Sequence, residues 1–399
     1  MKSPNRRMLL DAAAALGAGA ASARDAREPI IGDKGATILG PRNPGRESQN
    51  PDILRPPATD HGSMPNLRFS FADAHVKARE GGWSREVTQR ELPISTTMAG
   101  VNMRLKSGGV RELHWHKQAE WSFMLAGRAR ITAVDNDGRN FIVDVGPGDL
   151  WYFPSGIPHS IQGLTDDGCE FLLAFPDGEF SEDSTFAIGD LFAHTSKEAL
   201  ARNFNVDATA FGQIPKDELF IFQSELPPLL EQVAISDPQG NVAQSMVFRM
   251  MEQTPTTSPG GNVRIADTRN FPISTDVSAA HVEVAPGHMR EIHWHPNADE
   301  LQYYISGKAR MSVFAAEGKA RTFNFQAGDV GYVPMSMSHF IENTGDTPLR
   351  FLELFRSPRY MDVSLAQWMA LTPHELVQAH LKLNRETLDG LPMHKRPVV

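Results

Sequence analysis

Cysteine, net positive charge and long apolar runs are all scarce in this sequence of 399 residues. Cys169 is the only cysteine, so an internal disulfide is excluded, and we interpret this thiol as strand packing because apolar residues follow it. The formal net charge of −9 argues against nucleic acid as a partner, because phosphate binding requires a basic surface. Beyond the N-terminal region, no apolar run approaches the roughly 20 residues that a membrane span needs. We therefore expect a globular protein that binds neither nucleic acid nor, once a signal is removed, a membrane.

The N-terminus has the features of an export signal in the required order. Arg6 and Arg7 precede a run of small and apolar residues over 12–20, and Ala21-Ser22-Ala23 follows as an A-x-A cleavage site. This order predicts a twin-arginine signal peptide over residues 1–23 and a mature protein that is periplasmic or secreted. The alternative is an alanine-rich helix with two incidental arginines.

A histidine-rich stretch at residues 108–120 organises the rest of the chain. His114 and His116 are two positions apart, so on a β-strand both imidazoles leave the same face. Glu120 follows a short turn, and His159 ends a later segment rich in turn residues. Three imidazoles and one carboxylate suit a divalent first-row metal, and on six-coordinate manganese or iron they leave positions open for a substrate. Zinc closed by the same four ligands, as a structural site, is the alternative.

The same pattern returns in the second half of the chain. Glu300 stands 180 positions after Glu120, and His339 stands 180 positions after His159. One module is therefore used twice. Histidines that merely pack in a core would have to show this order in both copies, which argues for two metal sites. The ligands predicted for the second site are His293, His295, Glu300 and His339.

These residues resemble the two motifs of the cupin family. The motifs are present as Gly108-x5-His114-x-His116-x3-Glu120-x6-Gly127 and Gly148-x5-Pro154-x-Gly156-x2-His159. The second copy departs at Ser336, where glycine is usual, and the first at Gly163, where asparagine is usual. Both departures fall in turns and not at ligands. The resemblance implies an all-β fold with two tandem cupin domains, which are jelly-roll β-barrels, each followed by short helices.

Composition and turn signals set the expected domain limits. Residues 24–65 are rich in proline, glycine and charged residues, which predicts an N-terminal arm or linker. Residues 66–232 are predicted to form cupin domain 1, and residues 233–399 cupin domain 2 with the C-terminal helices. Capping boxes that start at Thr195 and Thr372 predict helices after each barrel.

Charged residues near the ligands predict a substrate site. Arg111 and Arg290 each stand three positions before the first ligand histidine, and an arginine fork beside an open metal position suits a small carboxylate. Strict alternation turns Arg111 away from the cavity, so a bulge or a strand start is required. Glu182 lies in a polar segment after the first barrel, and Glu353 interrupts an apolar strand, where a carboxylate is costly unless a polar cavity receives it. A surface arginine and a solvated loop carboxylate are the alternatives.

The segment Ser181-Glu182-Asp183-Ser184-Thr185 resembles the lid of the bicupin oxalate decarboxylases. The resemblance implies a carboxy-lyase that converts oxalate to formate and CO2, with two Mn2+ ions per chain and O2 as cofactor. It further implies catalytic roles for Glu182, Arg111 and Glu353, oxalate binding by Arg111 and Arg290, and a homo-oligomer, specifically a hexamer. Asp183 stands where asparagine is usual, and we expect this second charge to raise the pKa of Glu182.

Two other functions remain open from the sequence. A bicupin oxalate oxidase would use the same metal and arginine but form CO2 and H2O2, and the lid segment argues against it. A bicupin that binds a metal or another ligand without catalysis would normally have lost its histidines, and both complete sets argue against that reading.

Overall fold

Antiparallel β-strands provide most of the regular structure in the computed structural model, which describes residues 43–233, 235 and 237–399. Among these residues the strands form four antiparallel sheets, and the helices are short. This arrangement confirms the predicted all-β class. The predicted signal peptide, residues 1–23, and residues 24–42 of the predicted arm lie outside the described residues.

Apolar runs separated by glycine-rich turns form short strands throughout both halves of the chain. The strands of the first half are β1 (Arg68–Ser70), β2 (Val76–Arg79), β3 (Gly82–Val87), β4 (Ala99–Leu105), β5 (Gly109–Trp115), β6 (Glu120–Ala126), β7 (Ala129–Val134), β8 (Asn140–Val145), β9 (Leu150–Phe153), β10 (His159–Gly163), β11 (Cys169–Phe175), β12 (Phe186–Ala187) and β13 (Ile221–Gln223). The strands of the second half are β14 (Val247–Phe248), β15 (Thr256–Ser258), β16 (Gly261–Ala266), β17 (Ser278–Val284), β18 (Met289–Trp294), β19 (Glu300–Ser306), β20 (Lys308–Phe314), β21 (Ala320–Gln326), β22 (Asp329–Val333), β23 (Ser338–Asn343), β24 (Leu349–Phe355) and β25 (Val363–Ser364).

Each half builds a barrel from two sheets. In the first barrel, one sheet has the order β14-β9-β6-β11-β4-β3-β2, and the other has the order β12-β5-β10-β7-β8 with β13 added at β5. In the second barrel, the orders are β1-β22-β19-β24-β17-β16-β15 and β21-β20-β23-β18-β25. Apolar side chains of both sheets meet inside, such as Trp151 and Ile131 in the first barrel and Tyr304 and Met311 in the second. Removing this surface from water holds the two layers together.

Each barrel also receives an edge strand from the other half of the chain. β1 pairs with β22 of the second barrel, and β14 pairs with β9 of the first barrel. A further apolar cluster contains residues of both barrels. The predicted limits 66–232 and 233–399 stay a prediction, and these two strands pair across the boundary near residue 233.

The described part of the predicted arm packs on the second barrel. The Asp52 carboxylate accepts hydrogen bonds from Arg310 Nε at 2.8 Å and from Asn324 Nδ2 at 2.7 Å. Asp60 accepts from the Thr322 hydroxyl at 2.7 Å. These polar contacts attach the arm to β20 and β21.

Helices flank the barrels, and none in the described part of the chain has the length and apolar character for a membrane crossing. Both predicted helix starts were wrong by one residue. Ser196, not Thr195, caps its helix, and Pro373, not Thr372, precedes the other. Each threonine hydroxyl instead donates to a carbonyl four residues earlier, at 2.6 and 2.8 Å, in the last turn of the preceding helix. The helices are α1 (Pro44–Gln49), α2 (Pro51–Leu54), α3 (Ile188–Ala193), α4 (Lys197–Phe204), α5 (Leu230–Val233), α6 (Leu365–Ala370), α7 (His374–Leu381) and α8 (Arg385–Asp389), and single 3-10 turns cover Phe71–Asp73, Glu182–Ser184, Ala208–Phe211, Met250–Glu252 and Ala316–Gly318.

Candidate metal centres

The first barrel brings the four predicted ligands of its motif together. His114 lies on β5, His116 directly follows that strand, Glu120 opens β6, and His159 opens β10 opposite His114. All four side chains are buried, and their ligating atoms lie within 4.8 Å of one another. Strands that are distant in sequence thus supply one compact set of nitrogen and oxygen donors.

Backbone carbonyls orient the three imidazoles of this set. The Nδ1 atoms of His114, His116 and His159 lie 2.7, 2.6 and 2.7 Å from the carbonyl oxygens of Glu112, Gln118 and Ile157. A carbonyl accepts only from a protonated Nδ1, so the lone pair of each ring is on Nε2, where a metal would bind. His159 Nε2 is buried 3.3 Å from Glu120 Oε2 without an aligned hydrogen bond among the described residues, as expected where a cation binds between the two atoms.

The second barrel repeats this geometry with His293, His295, Glu300 and His339, whose ligating atoms also lie within 4.8 Å of one another. Glu300 Oε2 lies 2.8 Å from His339 Nε2 and 3.2 Å from His295 Nε2. These atoms are buried without an aligned hydrogen bond in the described part of the molecule. Donors that converge in this way fit a divalent metal ion.

Burial favours the neutral, metal-binding form of one histidine in each ligand set. Burial, and next the nearby Arg111 guanidinium, hold the pKa of His114 well below its usual value. Burial and Arg290 do the same for His293. Metal ions bind the neutral imidazole, so these rings need not lose a proton first.

A β-bulge turns Arg111 into the cavity. On β10 the register advances by two residues, from His159 to Ile161, while β5 advances by three, from His114 to Arg111. The extra residue reverses the alternation, so Leu113 is 51% exposed and Arg111 only 2%. The same shift occurs between Arg290 and His293 on β18. The sequence analysis required a bulge or a strand start if the arginine was to face the cavity. The structure contains such a bulge in both barrels.

Arg111 meets Glu182 in a buried ion pair beside the first ligand set. The distance from Arg111 Nη2 to Glu182 Oε2 is 3.0 Å. The backbone N–H of Glu182 donates to Glu86 at 2.9 Å. Burial raises the pKa of Glu182, and the Arg111 guanidinium opposes this shift. Glu86 was missed by the sequence reasoning, because it lies on β3 outside any motif.

The expected effect of Asp183 on Glu182 needs correction. The pKa of Glu182 is raised as expected, but burial is the largest cause. Asp183 points outward and accepts a hydrogen bond from Lys77 Nζ at 2.8 Å. That ammonium group lowers the pKa of Asp183 and compensates its charge.

The cavity beside the first ligand set is closed by the loop that carries Glu182. Its volume is ≈ 10 Å³, and its lining includes Arg111, Glu182, Thr185 and the apolar Leu173 and Phe175. This is about the space of one water molecule. In this conformation the cavity has no room for a molecule with two carboxyl groups.

Residues 70–210 and 248–389 match the family model described as Cupin. The chain belongs to the cupin family. Oxalate decarboxylase OxdC of Bacillus subtilis (strain 168) is 56% identical over 94% of this chain and 97% of its own length. A probable oxalate decarboxylase of Arthroderma benhamiae is 39% identical over 92% of this chain and 91% of its own length. These matches confirm the predicted family and place two cupin domains in one chain.

Solved structures of the Bacillus subtilis protein have the same fold as this cupin. Oxalate decarboxylase at pH 4.6 superposes with a TM-score of 0.91 at 56% identity, covering 94% of this chain and 98% of that chain. A structure of the same enzyme from a study of its Mn(II) centres also has a TM-score of 0.91, covering 94% and 99%. The predicted architecture of two cupin barrels is thereby confirmed.

The second cupin domain differs from the first in how its arginine is held. Arg290 is fully buried and donates to Glu353 at 3.0 Å, to the Tyr360 hydroxyl at 2.8 Å and to Asp362 at 2.8 Å. The Tyr360 hydroxyl in turn donates to Glu353 at 3.1 Å. Lys395, near the C-terminus, pairs with Asp362. Arg290 and Glu353 thus lie in one buried network beside the second ligand set.

Sequence reasoning missed the members of this network other than Arg290 and Glu353. Copy two has no carboxylate over residues 356–360, but Asp362 follows only two positions later. A comparison of the two copies that continued past Tyr360 would have included this carboxylate. No sequence pattern indicated Lys395, because only the folded chain brings the C-terminal segment to this site.

Proposed function

We propose that this protein is a manganese-dependent oxalate decarboxylase that converts oxalate to formate and CO2. One observation carries the proposal: a buried arginine and a buried loop carboxylate, Arg111 and Glu182, meet beside a complete set of three histidines and one glutamate. An arginine fork binds a carboxylate, and a carboxyl group whose pKa is raised by burial can exchange a proton with a bound substrate. Relatives that match over nearly the whole chain carry the name oxalate decarboxylase.

The metal ions would be held by the two ligand sets. His114, His116, Glu120 and His159 would bind Mn2+ in the first domain, and His293, His295, Glu300 and His339 in the second. When bound in the first domain, Mn2+ supplies open coordination positions and a redox couple for oxalate and for O2, which serves as a cofactor without net consumption. Because all four ligands of each set are already gathered and oriented, little reorganisation is needed to bind the ion.

Substrate entry requires the loop to open. In the closed form, Glu182 occupies the Arg111 fork, and the remaining ≈ 10 Å³ does not admit oxalate. An outward movement of residues 181–186 would free Arg111 to bind one carboxylate of oxalate in a bidentate manner. Closure behind the substrate then excludes water from the site.

Glu182 would accept the proton of oxalate and later donate it to carbon. Oxalate enters as the monoanion, HC2O4−, and Glu182 takes its proton. The carbon–carbon bond then breaks, one carboxyl group leaves as CO2, and the proton returns to the remaining carbon to form HCO2−. Atoms and charge balance over these reaction steps. Arg111 would hold the carboxylate that remains after CO2 leaves. Control of the proton at carbon distinguishes this reaction from oxidation to two molecules of CO2.

The first domain is the site of turnover in this proposal. Among the described residues, Arg111 has one carboxylate partner, Glu182, on a loop. Arg290 has three partners: Glu353 on the buried strand β24, and the buried side chains of Tyr360 and Asp362 on the segment between β24 and β25. An arginine held in this way has no free fork for oxalate. The predicted substrate role of Arg290 and the predicted catalytic role of Glu353 stay predictions, and the test is whether Arg290→Lys changes the KM for oxalate.

The experiment that tests the function is incubation of the manganese-loaded protein with oxalate in air, with formate, CO2 and H2O2 all quantified. We expect formate and CO2 in equal amounts. Two CO2 and one H2O2 per oxalate would establish the oxidase instead. No turnover by protein that carries its full manganese would favour a binding protein without catalysis.

Export and assembly are also part of the proposal. Arg6, Arg7 and the run up to Ala23 support a twin-arginine signal and a periplasmic or secreted protein, and N-terminal sequencing of the mature protein tests it. Family resemblance supports a homohexamer, which light scattering tests. Exposed apolar residues on the helices after the second barrel, including Trp368 and Leu376, are compatible with contact between copies.

A further inference from the structure

The outer side of the loop over the first site carries an ion pair that the proposed reaction does not use. Asp183 Oδ1 accepts a hydrogen bond from Lys77 Nζ at 2.8 Å. The Asp183 side chain is 79% exposed, but that of Lys77 on β2 is only 20% exposed. The neighbouring residue, Glu182, points the opposite way and contacts Arg111. The loop is therefore held by a cation on each side.

One aromatic ring contacts both of these cations. Lys77 Nζ lies 3.8 Å from the centre of the Phe220 ring, and the guanidinium carbon of Arg111 lies 4.4 Å from it. Cations near an aromatic face are attracted by its electron density, most strongly where water is excluded. Phe220 is fully buried, so its ring limits the movement of Lys77 and Arg111 alike.

The backbone of Phe220 is held in an unusual conformation for a bulky residue. Its φ angle is +59°, in the left-handed region that costs energy for residues other than glycine. Its N–H donates to Glu112 Oε1 at 2.8 Å, and its carbonyl accepts from Arg111 Nη1 at 3.3 Å. In the second domain the carbonyl that accepts from Arg290 belongs to Pro397, which has no aromatic ring. The ring is thus specific to the domain whose arginine meets the loop.

The loop also has space to move outward. Asp183, Lys77 and Glu86 line a cavity of ≈ 700 Å³ on the outer side. Breaking the contact between Lys77 and Asp183 therefore does not require repacking of a core. The ion pair of Lys77 and Asp183 connects the loop to β2.

We propose that Lys77 and Asp183, supported by the ring of Phe220, form an outer latch that holds the loop closed and keeps Glu182 at Arg111. Lys77 is then a positioning residue for the proposed decarboxylation, on which this inference rests. A latch of this kind opposes substrate entry and favours the closed complex in which the proton is controlled. Weakening the latch lowers KM, because a larger fraction of the free enzyme is open to oxalate. It also lowers kcat, because a smaller fraction of the enzyme–oxalate complex is closed.

The latch is tested on manganese-loaded protein without substrate, by hydrogen exchange of the peptide that contains residues 181–186. The variants are Lys77→Met, Asp183→Ala and the double variant. Because partly exposed ion pairs contribute modestly, each single variant should exchange about two- to fivefold faster than the wild type. Lys77 Nζ also lies 3.8 Å from Glu218, so Lys77→Met removes this contact together with the pair to Asp183. The double variant should therefore exchange no faster than Lys77→Met. Lys319→Met, which removes an exposed ion pair with Glu317 in the second barrel, is the matched control and should leave this peptide unchanged.

Unchanged exchange in Lys77→Met, or effects that add in the double variant, would overturn the latch. Steady-state kinetics with oxalate provide the second measurement, in which kcat and KM should both fall about two- to fivefold. A fall in kcat with an unchanged or raised KM indicates only general damage to the site and also counts against the latch. If wild-type protein forms no formate, the proposed function fails, while the exchange data still decide whether the latch exists.

Discussion

Glu86 accepts a hydrogen bond from the backbone N–H of Glu182 at 2.9 Å, and this contact attaches a half-buried carboxylate of β3 to the loop that carries the buried Glu182. Burial, and next the charge of Glu182, raise the pKa of Glu86 to about 7. Glu86 therefore binds a proton more readily than a solvated glutamate does.

The first prediction concerns pH. A carboxyl group with a pKa of about 7 in the folded protein and 4.5 in the unfolded chain binds more protons when folded, so the free energy of unfolding falls as pH rises between these values. Glu86→Gln keeps an acceptor oxygen but has no charge to bury. We expect the variant to be more stable than the wild type by about 1–3 kcal/mol at pH 8, and about equal to it at pH 4.5. Urea unfolding at both pH values measures the difference, and an equal difference at both would contradict the assignment.

The second prediction concerns the proton-handling residue. Glu182→Gln and Glu182→Ala should lower kcat for formate by about 10²- to 10⁴-fold, because no other loop carboxylate reaches Arg111 among the described contacts. Manganese content should stay the same, since Glu182 is outside both ligand sets. The matched control is Glu179→Gln, an exposed carboxylate of the same loop, which should retain activity. Undiminished formate from the Glu182 variants would remove this residue from the mechanism.

The third prediction separates the two metal sites. His159→Ala and His339→Ala each remove one ligand from a buried set, so each should lose one equivalent of manganese per chain. Only His159→Ala should also abolish formate production through direct loss of the catalytic ion. Metal analysis of the purified variants, followed by the oxalate assay, provides both measurements. Loss of both ions in either variant would show that the sites do not bind independently.

The fourth prediction concerns the buried network of the second domain. Arg290→Met leaves the fully buried Glu353 without a cation and Asp362 with Lys395 alone, and we expect it to destabilise the protein by about 3–5 kcal/mol. Arg350→Met removes a more exposed ion pair with Glu283 on the same barrel and should cost about 1 kcal/mol or less. Urea unfolding of manganese-loaded protein compares the two. Equal small effects would show that the network does not contribute to stability.

Local spacing was sufficient to predict the ligand sets. His114 and His116 share a face because side chains alternate along a strand, and the offset of 180 positions between Glu120 and Glu300 shows that the module is repeated. Both are properties of the covalent chain, so they need no knowledge of partner strands. The resemblance to the cupin motifs then supplied the barrel, which the structure and the comparisons confirm.

Long-range features were decided by tertiary structure. The bulge that turns Arg111 inward exists only in the pairing of β5 with β10, and the exchange of β1 and β14 between barrels depends on where the whole chain passes. Lys77 and Lys395 lie far in sequence from Asp183 and Asp362, so no pattern in the sequence could pair them. A strand or helix shows its periodicity in neighbouring residues, whereas a buried charge finds its partner through folding. The sequence was therefore enough to predict the metal ligands and their repeat, and only the folded chain shows that Arg111 pairs with a loop carboxylate while Arg290 lies in a buried network.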